Sequence, residues 1–301
     1  MAEPDPASPD LADAVDVFTA VRSRLFGVAY RMLGSVAEAE DVVQDVWLRW
    51  QESDRDTVRD PVAFLVTATT RACLNVLQSA RARRETYAGP WLPEPVDTSA
   101  DPALGAERDE ALHVATLMLM EKLAPPERAA YILREAFDYP YGLIAETIQV
   151  SDVNARQLVS RARRHLNVRR AAPASSAEQK RLLAAFIEAA QTGDMASLEE
   201  LLAADVVSYT DGNGMRNAAP HPVAGSRNVA RFVRAFRHRF WPDSVVSWIT
   251  ANGQPGALVS RGGTVVAFLT VAASSGGIDE VLWVLTPEKL THIASLHQLA
   301  D

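Results

Sequence analysis

The spacing of hydrophobic residues changes once along this chain, near residue 178, and this change limits the fold more than any other feature. Before it, apolar residues recur at the three- and four-residue intervals of amphipathic helices, as in Val42, Val43 and Val46. After it, β-branched runs such as Thr264–Val271 alternate with a period of two between glycines. The sequence therefore predicts all-helical modules followed by an α+β domain that contains an antiparallel sheet.

Two segments without helical spacing divide the 301 residues into domains. Residues 86–102 contain Gly89 and four prolines, which prevent regular structure, and residues 171–177 (AAPASSA) are typical of a linker. We therefore expect a helical module over residues 1–88, a linker over 89–105, a second helical module over 106–170, a short linker over 171–177 and the α+β domain over 178–301.

The α+β domain is expected to begin with helices and to continue mainly with strands. Helices are expected around Leu182–Ile187, from Met195 to Ala204 and from Ser226 to Phe240. The expected strands, each bounded by glycines or turn residues, are Val245–Thr250, Leu258–Ser260, Thr264–Val271, Ile278–Leu285 and Leu290–Leu299.

Composition restricts where this protein acts and which chemistry it uses. No apolar stretch approaches the roughly 18–20 residues of a membrane-spanning helix, and Met1–Asp10 is acidic, unlike a secretory signal. The single cysteine, Cys73, excludes an internal disulfide framework. The α+β domain contains no HxH spacing typical of a metal site. We therefore expect a cytoplasmic protein with no membrane contact, no cofactor and no metal.

The charge of the chain is unevenly distributed. A net charge of −8, from 30 basic and 38 acidic residues, by itself argues against a nucleic-acid partner. However, Pro61–Arg84 contains four arginines and no acid, and Val153–Arg170 contains six arginines and no acid. Phosphate contacts are local, because salt screens charges beyond about 10 Å. These two basic segments therefore indicate a nucleic-acid partner despite the acidic total.

The second basic segment lies in a sequence typical of a helix-turn-helix. We expect a short helix over Tyr141–Gln149, a turn at Val150 and Ser151, and a second helix with Ser151 or Asp152 as its N-cap. The polar face of the second helix comprises Asn154, Arg156, Gln157, Ser160, Arg161, Arg163 and Arg164. Side chains of these types read base edges in the major groove, whereas the alternative is a solvated basic face.

Taken in order, these segments resemble a bacterial RNA polymerase sigma factor of the extracytoplasmic-function (ECF) type. Arg24–Trp50, which ends in AEDVVQDVWLRW, is similar to regions 2.1–2.2 of such factors. Pro61–Glu85 is similar to regions 2.3–2.4, and Leu117–Leu166 to region 4. The resemblance covers about the first 170 residues.

Three further motifs narrow the resemblance to the sigma-J type, the group that carries a C-terminal SnoaL-like (NTF2-like) domain. Trp91–Pro95 (WLPEP) resembles the linker signature of that group. Asp211–Gly214 (DGNG) and Thr286–Leu290 (TPEKL) stand where the group tends to have DGGG and NPDKL. The implied architecture is multi-domain: two all-α sigma modules, a region 2 bundle and a region 4 helix-turn-helix, plus an α+β NTF2-like cone-barrel domain.

The resemblance implies a factor that binds core RNA polymerase and directs initiation at promoter DNA, without catalysis of its own. Docking on a coiled coil of the polymerase β′ subunit would use Asp41, Gln44 and Asp45, while region 4 would contact the β flap. The −10 element would be opened and read by Asn75, Gln78, Arg81, Arg83 and Arg84. The −35 element would be read by Asn154, Arg156, Gln157, Ser160, Arg161 and Arg164.

The resemblance also implies that the C-terminal domain regulates the sigma modules in cis, where other factors use a separate anti-sigma protein. Trp91 and Leu92 lie between prolines and are expected to form an exposed apolar plug that docks on this domain. The DGNG motif is expected to form a tight turn, because glycine and asparagine tolerate positive φ. The regulatory set is Trp91, Leu92, Pro93, Glu94, Pro95, Asp211, Gly212, Asn213, Gly214, Pro287, Glu288, Lys289 and Leu290.

Other functions stay open at the level of sequence. A SnoaL-type enzyme would use residues among Tyr209, Asp211, His221, Arg261, His292 and His297. His292 and His297 lie five apart on an expected strand and so face opposite ways, and we expect no catalytic residue. A helix-turn-helix repressor or activator with a ligand-sensing C-terminal pocket would bind duplex DNA without polymerase. The ligand of such a pocket, and an inert C-terminal passenger domain, also stay open.

Overall fold

The structure, a computed structural model, describes residues 9–85, 87–99, 112–166, 172–216 and 218–298, without the side chains of residues 9–11, 79–85 and 296–298. The helical half consists of α1 (Pro9–Leu33), α2 (Val36–Glu52), α3 (Pro61–Glu85), α4 (Val114–Met120), α5 (Pro125–Glu135), α6 (Tyr141–Ile148) and α7 (Asp152–Leu166), with a 3-10 turn at Arg55–Thr57. No helix within the described ranges is long and apolar enough to cross a bilayer.

Local sequence signals set the ends of these helices. The Ser35 side chain caps α2 by accepting a hydrogen bond from the Glu38 amide at 3.4 Å. Between α6 and α7, Gln149 takes a left-handed conformation with φ 57°, and the Ser151 side chain accepts from the Asn154 amide at 3.3 Å. The helix-turn-helix is therefore confirmed, with Ser151 as the N-cap of α7.

Helices α1 to α7 share one hydrophobic cluster, which extends from Ala14 to Ala162 along the chain. Its fully buried members include Tyr30, Trp50 and Leu65, and burying a side chain of this size contributes about 1.5–3 kcal/mol. Within the cluster α5 contacts both α1 and α3, and α6 contacts α3. The two helical modules are therefore packed directly against each other.

The α+β half contains α8 (Ser176–Thr192), α9 (Met195–Leu201), α10 (Ser226–Phe240), α11 (Pro287–Gln298) and the strands β1 (Leu202–Asp211), β2 (Val223–Ala224), β3 (Ser244–Ala251), β4 (Gln254–Arg261), β5 (Thr264–Ser274) and β6 (Gly277–Val284). These strands form one sheet in the order β2-β1-β6-β5-β4-β3. The predicted α+β architecture is confirmed.

Three expectations about this half are wrong. The segment expected as the strand Leu290–Leu299 is instead helical as far as it is described, to Gln298, as part of helix α11. Pro287 and Glu288 occupy the first turn of this helix, and Leu290 and Ile293 are buried at helical spacing. The helix expected to reach Ala204 ends at Leu201, and strand β1 follows at once, because pairing with β6 outweighs local helix propensity. The sheet is also not wholly antiparallel, since β1 runs parallel to β6.

Both faces of the sheet are covered. One face packs against α8 and α10 in a cluster that includes Phe186 and Trp283. The other face packs against the linker, α4 and α11, in a cluster that includes Leu92, Met118 and Ile293. This second face is where the α+β domain meets the helical modules.

Candidate functional site

The polar face of α7 is the first candidate site. Ala155, Val159 and Ala162 are fully buried beneath α7, where the helix contacts α5 and α6. The opposite face carries the expected residues, of which Asn154 is partly exposed and the others are exposed: Arg156, Gln157, Ser160, Arg161, Arg163 and Arg164. Amide and guanidinium groups on one side of a helix are what binding in a major groove requires.

Three arginines of this face contact neighbouring side chains, among them Arg161, whose Nε lies 3.7 Å from Glu127 Oε1. Arg156 lies over the ring of Tyr141, with 4.4 Å between the guanidinium carbon and the ring centroid. Arg163 forms an ion pair with Glu135 at 2.7 Å, and the hydrogen bond to this carboxylate raises the pKa of Arg163. These contacts fix part of the basic face before any nucleic acid binds.

The C-terminal half of α3 is the second candidate site. Asn75 and Gln78 are exposed on α3, as a surface that reads unpaired bases requires. The side chains of the three arginines expected beside them lie outside the described part of the structure: Arg81, Arg83 and Arg84.

Arg71, which belongs to the same basic segment, has an internal role instead. Its Nε donates a hydrogen bond to the Thr147 carbonyl at 3.0 Å, and its Nη2 donates to the Glu146 carbonyl at 2.9 Å. These carbonyls lie in the last turn of α6, where few helical donors remain: the Gln149 amide also donates to the Glu146 carbonyl, at 3.4 Å. Arg71 therefore joins the first helical module to the second.

The acidic stripe of α2 is the third candidate site. Asp41, Gln44 and Asp45 are all exposed, and Leu48, one turn further along the same stripe, is 51% exposed. The spacing of these four residues places them on one side of the helix. An exposed leucine beside two carboxylates suits a partner that is both basic and apolar, and the sequence analysis assigned Leu48 no role.

The linker is buried between the two halves of the molecule. The expectation of an exposed plug is wrong, because Leu92 is 0% exposed and Trp91 is half-buried, although Leu92 does dock on the α+β domain. Gly34 adopts φ 68° beside the linker, and a Cβ at this position would lie 2.6 Å from the Trp91 ring. Glycine is therefore required where α1 ends against the linker.

Asp211 binds the linker on the sheet side. This fully buried carboxylate accepts hydrogen bonds from Lys289 Nζ at 2.7 Å, from the Leu92 amide at 2.6 Å, from Thr286 Oγ1 at 2.7 Å and from the Tyr87 hydroxyl. Lys289 Nζ also donates to the Leu92 carbonyl at 2.5 Å. We call these five residues (Tyr87, Leu92, Asp211, Thr286 and Lys289) the linker clasp.

The electrostatics of the linker clasp depend on the linker. A buried carboxylate–ammonium pair is tolerated only when hydrogen bonds replace the lost hydration. Two of the four donors to Asp211 come from the linker and the residues just before it: the Leu92 amide and the Tyr87 hydroxyl. Lys289 Nζ also lies 4.1 Å from the ring centroid of Trp91, which is a cation–π contact. Burial, and then the hydrogen bond to Asp211, raise the pKa of Tyr87, so its hydroxyl remains a donor at neutral pH.

Glu94 binds the linker to the first helical module. Its carboxylate accepts hydrogen bonds from the Ser35 hydroxyl and from the Val36 amide, both at 2.8 Å, and its amide donates to the Gly34 carbonyl at 2.9 Å. The carboxylate thereby stabilises the N-terminus of α2, where the helix dipole favours negative charge. The WLPEP motif thus contacts both halves of the molecule.

The Asp211–Gly214 motif forms the predicted turn, and its first residue, Asp211, is the carboxylate of the linker clasp. Asn213 and Gly214 have φ of 42° and 79°, and the Gly214 amide donates to the Ala88 carbonyl at 3.1 Å. The sequence analysis missed Tyr87, because a single tyrosine carries no pattern, and it named Thr286 only as the first residue of the TPEKL motif, without a role. Asn252 was missed as well, although the dipeptide Asn252-Gly253 is typical of a hairpin and could have indicated the turn at which Asn252 contacts the linker.

The residues that an enzyme would use do not converge in space. Asp211 is enclosed by the linker clasp, whereas Arg261 lies across the sheet at the rim of a separate cavity. His221 and His292 are exposed, and His292 lies on helix α11 rather than on a strand, so the argument from strand faces does not apply. The side chain of His297 is outside the described residues. Among the described residues no group of three metal-binding side chains occurs.

Comparison with known families identifies the two helical modules. The family described as Sigma-70 region 2 matches residues 17–83, and the family described as Sigma-70, region 4 matches residues 113–166. The first match covers α2 and nearly all of α3, and the second covers the helix-turn-helix of α6 and α7. The candidate surfaces on α2, α3 and α7 therefore lie within these two matches, except for Arg84, one residue beyond the first.

Relatives of known identity extend the similarity to the α+β domain. The ECF RNA polymerase sigma factor SigJ of Mycobacterium tuberculosis is 39% identical over 237 residues, which cover 76% of this chain and 74% of SigJ. The probable ECF RNA polymerase sigma factor SigI of the same species is 32% identical over 273 residues, which cover 89% of this chain and 92% of SigI. The crystal structure of SigJ matches with a TM-score of 0.75 and 32% identity, over 92% of this chain and 98% of SigJ. The chain therefore belongs to the extracytoplasmic-function family of RNA polymerase sigma factors.

Proposed function

We propose that this sigma factor is regulated in cis by its C-terminal SnoaL-like domain, which holds the linker and so controls whether the two sigma modules can engage polymerase and promoter. The chain is a transcription initiation factor that binds core RNA polymerase and promoter DNA, as its family does. The observation that carries the proposal is the linker clasp, in which buried Asp211 and Lys289 bond both the amide and the carbonyl of Leu92.

Holding the linker also holds the two sigma modules together. The linker joins α3 to the start of the second module, and α4 of that module packs on the same face of the sheet as Leu92. Across the modules, Arg128 Nη1 donates to the Met32 carbonyl at 2.7 Å, and the Thr67 and Thr147 hydroxyls are 3.0 Å apart. The linker clasp therefore supports a closed arrangement of the two modules.

The closed arrangement is too small to span a promoter. Elements centred at −10 and −35 lie about 25 base pairs apart, which is about 85 Å along B-DNA at about 3.4 Å per pair. A compact chain of this length has a radius of gyration of only about 19 Å. The two modules must therefore separate before both elements can be bound at once, and an intact linker clasp opposes this separation.

The exposed surfaces support a specific assignment of contacts. The acidic stripe of α2, Asp41, Gln44 and Asp45 with Leu48, would dock on the β′ coiled coil, and the second module would contact the β flap. Asn75 and Gln78 would take part in reading the −10 element with Arg81, Arg83 and Arg84. The polar face of α7, through Asn154, Arg156, Gln157, Ser160, Arg161 and Arg164, would read the −35 element.

Promoter-specific transcription in vitro with core polymerase tests the proposal. Asp211→Asn and Lys289→Met each break a buried pair, which costs about 3–5 kcal/mol and is enough to shift an opening equilibrium by about tenfold or more. We expect both full-chain variants to give several-fold more transcript than the wild type. Glu178→Gln is the matched control, because it removes an exposed ion pair with Arg181 in the same domain and away from the linker.

Two outcomes would contradict the proposal. If no form yields a promoter-specific transcript, the assignment of initiation activity to this chain is wrong. If the two variants and a truncation after Ala172 all match the wild type, regulation by the C-terminal domain is wrong. Circular dichroism of each protein accompanies the assay, because the truncation uncovers Leu92, Val114 and Met118.

A further inference from the structure

A partly open cavity of about 220 Å³, which we call the funnel, lies between α10 and the face of the sheet opposite the linker. Its lining includes Phe232, Phe236, Phe240, Trp241 and Trp283. The Phe240 ring meets Trp241 and Trp283 edge-on, with centroids 4.9 and 5.4 Å apart, so that these rings form a preordered aromatic surface. An apolar cavity of about 150 Å³ is known to bind benzene, so this volume accommodates a substituted or fused aromatic ring.

Two residues that line the funnel each carry a buried polar atom with no hydrogen-bond partner among the described residues. Trp283 is 7% exposed and Thr210 is 4% exposed, and both line the cavity. Trp283 Nε1 and Thr210 Oγ1 are both buried and unbonded within the part of the chain that the structure describes. Buried donors are nearly always bonded in folded proteins, because leaving one unpaired costs about 1–3 kcal/mol. A ligand with a hydrogen-bond acceptor would remove this cost.

The rim of the funnel is positively charged. Arg261 Nη2 donates hydrogen bonds to the carbonyls of Arg239 and Phe240, at 3.2 and 2.5 Å, which holds its guanidinium beside the mouth. Arg239 is exposed at the same rim, and none of the described lining residues is acidic. Helix α10 itself carries five arginines and no acid between Ser226 and Phe240. This charge favours an anion at the mouth and repels a cation.

The funnel and the linker clasp lie on opposite sides of the same strand ends. Thr210 precedes Asp211 along β1, and Leu285 precedes Thr286 beyond β6, so that alternate residues face the funnel and the linker. The Leu285 amide also donates to the Asp211 carbonyl at 2.7 Å. A molecule that shifts Thr210 or Leu285 therefore acts on the backbone that positions the clasp carboxylate.

We propose that the funnel binds a planar aromatic molecule that carries one carboxylate, and that this binding is coupled to the linker clasp. The rings of the ligand pack among the aromatic side chains, an oxygen accepts the Trp283 N–H, and the negative charge is stabilised by the arginines of the rim. Only the coupling rests on the proposed regulation, since binding itself requires no sigma activity.

Isothermal titration calorimetry on the full chain tests the binding, with 2-naphthoate as the probe. We expect saturable binding of one 2-naphthoate per chain, and at least about tenfold weaker binding of neutral 2-naphthamide and of aliphatic octanoate. No saturable heat with 2-naphthoate would overturn the site. Equal affinity for the amide would overturn the anionic class, and equal affinity for octanoate would overturn the aromatic class.

Conservative variants locate the binding. Trp283→Phe keeps an aromatic ring and removes the N–H, and Arg261→Gln removes a rim charge, so we expect each to weaken 2-naphthoate binding at least about fivefold. Trp248→Phe and Arg227→Gln are the matched controls outside the funnel, at an indole that is 41% exposed and at an exposed arginine of α10. Unchanged affinity in both funnel variants, with an unchanged melting temperature, would overturn this location.

The coupling is tested in the same assay by using Asp211→Asn. Coupling between two sites is reciprocal, so a weakened linker clasp must change the affinity for 2-naphthoate, and we expect a change of about fivefold or more. Lys289→Met, which weakens the clasp from its other side, is expected to change the affinity in the same direction. Equal affinity in the wild type and in both folded variants would overturn the coupling. Because no polymerase is present, this result is independent of the transcription assay.

Discussion

Asn252 adopts a left-handed conformation, with φ 55°, at the turn between β3 and β4, and its side chain joins three parts of the chain. Its Nδ2 donates to the Tyr30 hydroxyl at 2.7 Å and to the Leu112 carbonyl at 3.2 Å, while its Oδ1 accepts from the Val96 amide at 3.1 Å. The Tyr30 hydroxyl in turn donates to the Glu94 carbonyl at 2.5 Å. At the residue scale, one buried amide therefore connects the sheet, the linker and α1.

Removing the Tyr30 hydroxyl tests this network. Tyr30→Phe leaves the Glu94 carbonyl without this donor and removes an acceptor of Asn252, so we expect the free energy of unfolding to fall by about 1–3 kcal/mol. Urea unfolding at neutral pH measures the change. Tyr141→Phe, on half-buried Tyr141 of α6, is the control and should change stability by less than about 0.5 kcal/mol. Equal losses in the two variants would contradict the role of the network.

The contribution of Tyr30 to the free energy of unfolding depends on pH. Burial raises the pKa of Tyr30 above its ordinary value, so the folded protein keeps this proton where the unfolded chain, with a phenol pKa of about 10, loses it. Stability from this group is therefore complete below about pH 10 and falls as the pH rises further. Tyr30→Phe should show a shallower alkaline loss of stability than the wild type.

At the element scale, α7 presents a basic face whose arginines are not equivalent. Arg163 is paired with Glu135, whereas Arg164 is exposed on the same helix. An ion-paired arginine must give up part of its pairing before it contacts DNA, while a solvated arginine does not. Arg164 is therefore the better test of whether α7 binds the −35 element.

Arg164→Gln should weaken binding of the polymerase complex to promoter DNA. If Arg164 contacts a phosphate, we expect the slope of log affinity against log salt concentration to fall by the amount of about one phosphate contact. If Arg164 contacts a base, we expect specificity at one −35 position to relax. Arg227→Gln, which removes an exposed arginine from α10, is the matched control. Fluorescence anisotropy with a labelled promoter, measured across salt concentrations, provides both values. Indistinguishable binding curves for the two variants would contradict the assignment of α7.

At the scale of the whole molecule, the modules must separate when the chain binds polymerase and promoter. Spin labels at Val15 of α1 and at Gly142 of α6 can report this separation. Both positions accommodate a label, because Val15 is exposed and a Cβ at Gly142 would contact nothing within 4 Å. The native Cys73 is fully buried and burial raises its pKa, so the reactive thiolate is suppressed there. Val15→Cys with Gly142→Cys therefore allows selective labelling.

We expect a short distance between the labels in the free chain and a distance several tens of ångströms longer in the promoter complex, from the spacing of about 85 Å between the two elements. Double electron–electron resonance measures both distances. Adding Arg71→Gln, which removes the two hydrogen bonds to the end of α6, should raise the long-distance population of the free chain. An unchanged distance in the complex would contradict the opening of the modules.

Much of the local structure could be predicted from the sequence, because short-range signals decide it. The helix-turn-helix follows from apolar spacing and from the Ser151 cap, and the turn at Asn213 and Gly214 follows from residues that tolerate positive φ. Strand β1 and helix α11 were missed, because β1 is stabilised by pairing with β6 and α11 by packing on the sheet. Local propensity does not report such distant partners.

The sequence by itself determined the family, the order of the modules and the surfaces that are proposed to meet polymerase and DNA. Those features depend on residue types at fixed short spacings, such as the acids of α2 and the arginines of α7. Only the tertiary structure decided that Leu92 is buried, that Arg71 joins the modules and that Asp211 and Lys289 enclose the linker. These contacts join residues up to 197 positions apart, as between Leu92 and Lys289, and no local pattern encodes a pairing that exists only once the chain has folded.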